Sequence, residues 1–180
     1  MKDFNETLSE VRAKIAASCA RVGRDVSEVE IIAVTKTHGV ETVDEAWRAG
    51  LSIVGENKVQ EAEWKKAASA SGPSWHLIGH LQTNKVRRAL EIFDFIHSVD
   101  SVRLADRIQL VADDIGSLPH ILLEVNVAGE SSKSGMKIEE VSTASKVVIS
   151  KLNWEEYFML ESKLEGIKNE AGELEKVFYI

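Results

Sequence analysis

The sequence predicts an α/β protein of the (β/α) barrel type, with five or six parallel strands where a complete barrel has eight. Short apolar runs of strand length alternate with amphipathic segments of helical length, as in strand–helix–strand units. A polar residue follows each run, at the position where barrel active sites lie. The alternative class, a doubly wound sheet, usually has a glycine-rich loop after its first strand, and Thr35-Lys36-Thr37-His38 is not such a loop.

The first half of the chain begins with a helix. Apolar residues three and four apart predict an amphipathic helix over residues 4–22, closed by Gly23. A β-branched run at 29–34 predicts a strand that is buried on both faces. Three further elements are predicted after it: a helix at 40–49, a strand at 51–54 and a helix from about 57 to 70.

The second half continues the alternation up to about residue 146. Strands are predicted at 75–78, 95–99 and 120–127, and helices at 83–91, 101–114 and 137–146. Beyond them, residues 153–170 have the spacing of another amphipathic helix, and either 147–149 or 176–180 could be a sixth strand. We expect one domain, 1–180, in which Trp47, Trp64 and Trp75 pack in the core.

Lys36 lies directly after the first strand, at its carboxyl end. An apolar core beside this position would disfavour the charged ammonium, and a neutral amine on a rigid strand is a nucleophile toward aldehydes. The simpler alternative is a lysine whose side chain extends away from the core so that its amine is solvated. From this stretch alone both interpretations stay open, and the solvated lysine is favoured.

Composition limits the classes of partner. The net charge of −7 argues against binding nucleic acid by bulk electrostatics. No apolar run approaches the roughly 20 residues that span a bilayer, and residues 1–6 show no signal-peptide core. A single cysteine, Cys19, excludes an intrachain disulfide and favours a cytoplasmic location. The expected partner is a small molecule, with neither nucleic acid nor membrane.

Three further signals are weighed against simpler interpretations. His76 and His80 have the spacing of a metal pair on a helix, but they lie on a predicted strand and turn, so no metal site is predicted. The segment 129–135 lacks the Gly-Lys-Ser/Thr ending of a phosphate loop. A basic patch on the helix at 83–91 is interpreted as a solvated face.

Five motifs, taken in order, resemble the YggS/PROSC family of pyridoxal phosphate homeostasis proteins over residues 1 to about 136. They are Ala33-Val34-Thr35-Lys36, the run from Val54 to Glu61 (VGENKVQE), the run from Trp75 to Lys85 (WHLIGHLQTNK), Ile96-His97-Ser98-Val99-Asp100-Ser101, and Val125-Asn126-Val127 through Lys133-Ser134-Gly135-Met136. Together they are highly specific.

The resemblance implies a barrel like the N-terminal domain of alanine racemase, with pyridoxal 5′-phosphate held as a Schiff base. Lys36 matches the Schiff-base lysine, which reverses the preference stated above for that residue. Four further residues would line the ring pocket, and Lys133 matches a lysine suggested as a secondary contact, with a solvated loop lysine as an equal alternative. The four are Asn57, His80, Ser98 and Asn126.

The sequence also departs from the family. The Ser-Met-Gly-Met-Ser and Arg-Ile-Gly segments that grip the cofactor phosphate do not occur, and residues 137–180 show no resemblance. We therefore expect a truncated, rearranged or engineered member. Its sheet is expected to have open edges, covered by the divergent tail or by a second chain. Loss of the phosphate contacts predicts weakened affinity.

The leading hypothesis is a noncatalytic carrier of pyridoxal phosphate, with enzymes that lack their cofactor as further partners. One alternative is a racemase-like enzyme acting on amino acids, which would need a second acid or base on the opposite face of the cofactor. The other alternative is a scaffold with no function of its own.

Overall fold

The computed structural model describes residues 4–127 and 134–149. The helices in these ranges are α1 (Phe4–Val22), α2 (Val40–Arg48), α3 (Val59–Ala68), α4 (Val86–Ile92), α5 (Val102–Ile115) and α6 (Ile138–Ile149), with 3-10 turns at Val26–Glu28 and Thr83–Lys85. The strands are β1 (Ile32–Val34), β2 (Ile53–Glu56), β3 (Ser74–Leu77), β4 (Phe95–Val99) and β5 (His120–Leu123).

The five strands form one parallel sheet in the order β1-β2-β3-β4-β5. Each strand therefore pairs with the next strand along the chain, after a helical crossover. A doubly wound sheet would reverse its strand order at a switch point, whereas consecutive order is that of a barrel wall. The described strands thus confirm the α/β barrel-type class and favour it over the doubly wound alternative.

The two faces of the sheet differ. Val54, Trp75 and Leu77 are at most 2% exposed and belong to the main apolar cluster, which also contains side chains from α2 to α5. Side chains alternate along a strand, so the neighbours of these residues lie on the other face. Histidine and phenylalanine rings meet on that second face, which we call the open face: His76, Phe95, His97 and His120.

Strand β1 is an edge strand within the described residues. It is three residues long, pairs only with β2, and leaves Val34 49% exposed. The expectation of a strand buried on both faces was wrong, because Ala33 packs against the helices while Val34, on the opposite face, is not covered by the described residues. Its apolar run reflects contact with helices on one face, where Ile31 and Ala33 pack near Leu8 and Ala46.

Most helix predictions are confirmed within a few residues, and two tryptophan predictions are wrong. The helix predicted over 4–22 is observed with those bounds. Trp75 is buried as expected, but Trp47 and Trp64 are 42% and 49% exposed. A tryptophan at apolar helical spacing still lies at the margin of a face when smaller residues, here Val43 and Ala46 on α2, fill the core positions.

The later elements required two corrections. The strand alternative at 147–149 was wrong, because these residues end α6. The strand predicted over 120–127 is shorter, β5 ending at Leu123, and an isolated bridge joins Val125 to Met136 beyond it. The predicted helix at 153–170 and the strand alternative at 176–180 lie outside the described residues.

Candidate functional site

The carboxyl ends of parallel strands meet at one edge of a sheet, and the residues singled out in the sequence follow those ends. Lys36 follows β1, Asn57 follows β2, His80 follows β3, and Ser98 lies near the end of β4. Contacts between the strand ends show that these positions form one neighbourhood rather than isolated loops.

Lys36 lies at this edge with an exposed side chain. The amide of Thr35 donates to the carbonyl of Gly55 at 3.1 Å, so the ladder extends one residue past β1. Thr35 is 1% exposed and contacts Glu56 and Lys65, whereas Lys36 begins the turn that follows and is exposed. The apolar surroundings expected for its amine are not found among the described residues, which corrects that part of the argument.

Asn57 is held against the end of β3 by a close backbone approach. A Cβ atom placed on Gly79 would lie 2.5 Å from the carbonyl oxygen of Asn57 and 2.7 Å from its Cα. Any side chain at position 79 would collide with this backbone, so glycine is required for the approach. The packing explains why a glycine precedes His80, and it brings the ends of β2 and β3 close together.

The ends of β3 and β4 are joined by two side-chain contacts. The hydroxyl of Ser98, which is 3% exposed, donates to the carbonyl of Gly79 at 2.6 Å. His80 Nδ1 lies 2.9 Å from Asp100 Oδ2, with the imidazole largely exposed and the carboxylate mostly buried. Ser98 therefore supports the turn beneath His80, while His80 presents its ring at the surface, oriented by Asp100.

Asn126 lies beyond β5 and is brought to the same edge by backbone pairing. The backbone N–H of Asn126 donates to the carbonyl of Met136 at 2.9 Å, and the backbone N–H of Met136 donates to the carbonyl of Glu124 at 2.8 Å. Gly135 has φ +113°, a conformation open to glycine, and a Cβ there would lie 2.7 Å from Asn126 N. Lys133 lies outside the described residues, so its assignment remains a prediction.

A buried ionic network beneath Lys36 was missed by the sequence analysis. Lys65 on α3 is fully buried, with Nζ 2.7 Å from Glu56 Oε1 and 2.7 Å from Glu61 Oε1. The same amine donates to the carbonyl of Thr35 at 2.8 Å. The signals were a charged residue, Glu56, within an apolar strand and the spacing of four between Glu61 and Lys65.

Two histidines pair on the open face. His76 Nδ1 and His97 Nε2 are 2.9 Å apart, with the hydrogen undefined between them. Burial, together with the nearby His97, lowers the pKa of His76 to about 4, and burial also lowers the pKa of His97. Within residues 4–127 and 134–149 no three ligating side chains cluster as a metal site would require. His76 therefore pairs with His97 rather than with His80.

A cavity of about 440 Å³ lies away from this edge. Residues just before β1 and at the start of β2 line it, together with α1, so it is at the amino-terminal edge of the sheet. Active sites of barrel-type sheets lie at the opposite edge. We therefore place the candidate site at the strand ends around Lys36, although that surface is open.

Sequence comparison links the chain to curated proteins. It is 40% identical over 151 residues to the pyridoxal phosphate homeostasis protein of Pseudomonas aeruginosa, a match that covers 82% of this chain and 65% of the relative. The protein of that name from Escherichia coli K12 is 36% identical over 154 residues, with the same coverage. The chain thus spans a little under two thirds of these relatives. No protein-family model matches it.

Solved structures agree with the sequence matches. PipY of Synechococcus elongatus PCC7942 superimposes with a TM-score of 0.67 at 36% identity without pyridoxal phosphate, covering 81% of this chain and 66% of PipY. PipY with pyridoxal phosphate bound superimposes at 0.63 and 38% identity, covering 79% and 65%. Alanine racemase of Clostridium difficile 630 superimposes at 0.58 and 15% identity, covering 69% and 35%, which shows the fold alone.

The parallel sheet with consecutive strand order agrees with these matches. Over about four fifths of its length, this chain belongs to the family of pyridoxal phosphate homeostasis proteins.

Proposed function

We propose that this chain is a noncatalytic pyridoxal 5′-phosphate-binding protein that holds the cofactor as a Schiff base on Lys36. The observation that carries the proposal is an exposed primary amine at the carboxyl edge of a parallel sheet, between two residues that hydrogen bonds hold in place. Relatives are named for homeostasis of this cofactor, and PipY was solved with it bound.

The donor set at the edge fits a cofactor with an aldehyde and polar ring substituents. Lys36 supplies the amine, which condenses with an aldehyde and releases water, so no oxidant or reductant is needed. Asn57 and His80 supply an amide and an imidazole that can hydrogen-bond a ring, and Gly79 lets the backbone before His80 pack closely on the backbone of Asn57. When bound, the cofactor supplies an electrophilic carbon and an electron-withdrawing ring.

Affinity is expected to be weak for a member of this family. A phosphate group is usually held by backbone N–H groups at a helix N-terminus or in a loop. The described residues supply an exposed edge instead of an enclosed pocket. The covalent bond to Lys36 would then provide most of the specificity.

The proposal extends to partners and location. Transfer of the cofactor to enzymes that lack it would be the biological use of a reversible Schiff base. Association of two copies through β1 is supported by the half-exposed Val34 and by the absence of a second neighbour for that strand among the described residues. A cytoplasmic location agrees with the single cysteine. In the described part of the chain, no helix has both the length and the apolarity needed to cross a bilayer.

A cofactor titration followed by absorbance tests the proposal. The full chain is expected to develop the near-visible band of a Schiff base with rising cofactor concentration, and Lys36→Ala is expected to abolish it. Lys14→Ala, which removes an exposed lysine from α1, is the matched control and should titrate like the parent. An equal band in Lys36→Ala would contradict the assignment, and no band in the parent would contradict binding itself.

A further inference from the structure

The Lys65 network surrounds the backbone of Lys36 without touching its side chain. Thr35 Oγ1 donates to Glu56 Oε1 at 2.7 Å, and the Thr35 carbonyl accepts from Lys65 at 2.8 Å. On the other side of Lys36, the amide of Thr37 donates to Glu61 Oε1 at 2.6 Å. Both neighbours of Lys36 are therefore tied to one buried cluster on β2 and α3.

The turn that follows Lys36 needs such support. Thr37 has φ +65°, the one positive value among the non-glycine residues of the described chain. A β-branched residue in this left-handed conformation is strained by about 1–2 kcal/mol. The hydrogen bond from Thr37 N to Glu61 is the contact that fixes this peptide, so it also fixes the direction in which the chain leaves Lys36.

Stability alone is a poor explanation for the network. Lys65 and Glu56 are both 0% exposed, and replacing buried ion pairs by apolar side chains is often neutral or stabilising. Glu56 Oε2 is buried and has no hydrogen-bond partner in the described structure, which adds a desolvation cost. Structural strain and unsatisfied groups of this kind concentrate at functional sites.

We propose that Glu56, Glu61 and Lys65 are positioning residues that hold the peptide on both sides of Lys36, so that its amine emerges at one place for capture of the aldehyde. The inference rests on the proposed function and deepens it. A lysine side chain has four rotatable bonds, and a fixed backbone at its base limits the volume that the amine samples. The network bonds Thr35 and Thr37, on either side of Lys36, so these residues would act through Lys36.

Glu61 is the member to test, because it is partly exposed and contacts the turn directly. The hydrogen bond from Lys65 and that from Thr37 N lower the pKa of this carboxyl, so it is ionised at neutral pH. Glu61→Ala removes the acceptor for Thr37 N. We expect about a three- to tenfold loss of apparent cofactor affinity, the size of one ordinary hydrogen bond, because Glu61 acts on binding only through the position of Lys36.

The matched control is Glu63→Ala on the same helix. Glu63 pairs with Arg88 on the surface and does not contact residues 35–37. It should bind as the parent does. Glu61→Gln keeps an oxygen that can accept from Thr37 N, so it should recover most of the affinity lost in Glu61→Ala. Rescue by glutamine would show that the acceptor at this position matters for binding.

The site of labelling separates positioning from general stability. Bound cofactor is reduced onto lysine with borohydride, and the share of label on Lys36 is mapped by mass spectrometry against the other exposed lysines. The parent should be labelled chiefly at Lys36, and Glu61→Ala should carry a larger share of label on the other exposed lysines. Both proteins are compared without denaturant, where each gives a native circular dichroism spectrum. An unchanged share and affinity in Glu61→Ala would overturn this inference alone. No label at Lys36 in the parent would overturn the proposed function as well.

Discussion

At the scale of single residues, the pair of His76 and His97 on the open face makes stability depend on pH. Burial favours the neutral imidazole of His76 and lowers its pKa from 6.5 to about 4, and Asp94 opposes the shift weakly. The unfolded chain therefore binds a proton near pH 6.5 that the folded chain does not bind until about pH 4. The stability that follows from this difference is fully present above pH 6.5 and is lost as the pH falls toward 4.

We expect the free energy of unfolding to fall by roughly 1–3 kcal/mol between pH 7 and pH 4.5 through this pair. Urea denaturation at a series of pH values measures it. His76→Phe should flatten the profile, because phenylalanine packs on Phe95 without a proton to gain. His38→Gln, at an exposed position, serves as the control and should keep the parent slope. An unchanged slope in His76→Phe would contradict the assignment.

The site could be predicted from sequence as a set of residues but not as a set of contacts. Lys36 follows an apolar run, and that is visible in the sequence. The hydrogen bond from Thr37 N to Glu61, 24 positions apart, depends on how α3 packs against the end of β1. Ser98 is predicted to line the pocket, and the hydrogen bond from its hydroxyl to the Gly79 carbonyl is a contact that the sequence does not show. A residue's chemistry can be read from sequence, whereas its partner depends on tertiary packing.

At the scale of elements, the junction of the β2 and β3 ends depends on one glycine. Gly79→Ala would place a methyl group 2.5 Å from Asn57 O, so the two strand ends must separate. We expect a loss of about 1–3 kcal/mol in the free energy of unfolding, and weaker cofactor binding. Gly72→Ala is the matched control, because nothing lies within 4 Å of its Cβ. Urea denaturation compares the two variants, and equal stability would exclude the collision.

Element boundaries and burial show where periodicity stops being informative. The bounds of α1 and β4 were predicted correctly because capping and apolar spacing are local. The burial of β1 was not predicted correctly, because the apolar pattern of one strand cannot show whether another element packs over its second face. The predicted burial of Trp47 and Trp64 was wrong for the same reason, because an apolar residue at the margin of a helix face is buried only if another element packs over it.

At the scale of the whole molecule, the described sheet ends at β1 and β5 instead of closing. Unpaired strand edges favour association. We expect sedimentation velocity to show a concentration-dependent dimer, and Val34→Lys to weaken it by placing a charge beside the β1 edge. Lys is a natural device for protecting such edges, and it should leave the monomer folded because Val34 is already half exposed. A monomer at all concentrations would exclude association through this edge.

The central claim is that the amine of Lys36 captures the aldehyde of pyridoxal phosphate. The most direct measurement is borohydride reduction of the full chain with the cofactor, followed by peptide mass spectrometry. The account predicts a reduced adduct on Lys36 that is absent from Lys36→Ala and unaffected in Lys14→Ala. An adduct spread evenly over the exposed lysines, or no adduct at Lys36, would contradict it.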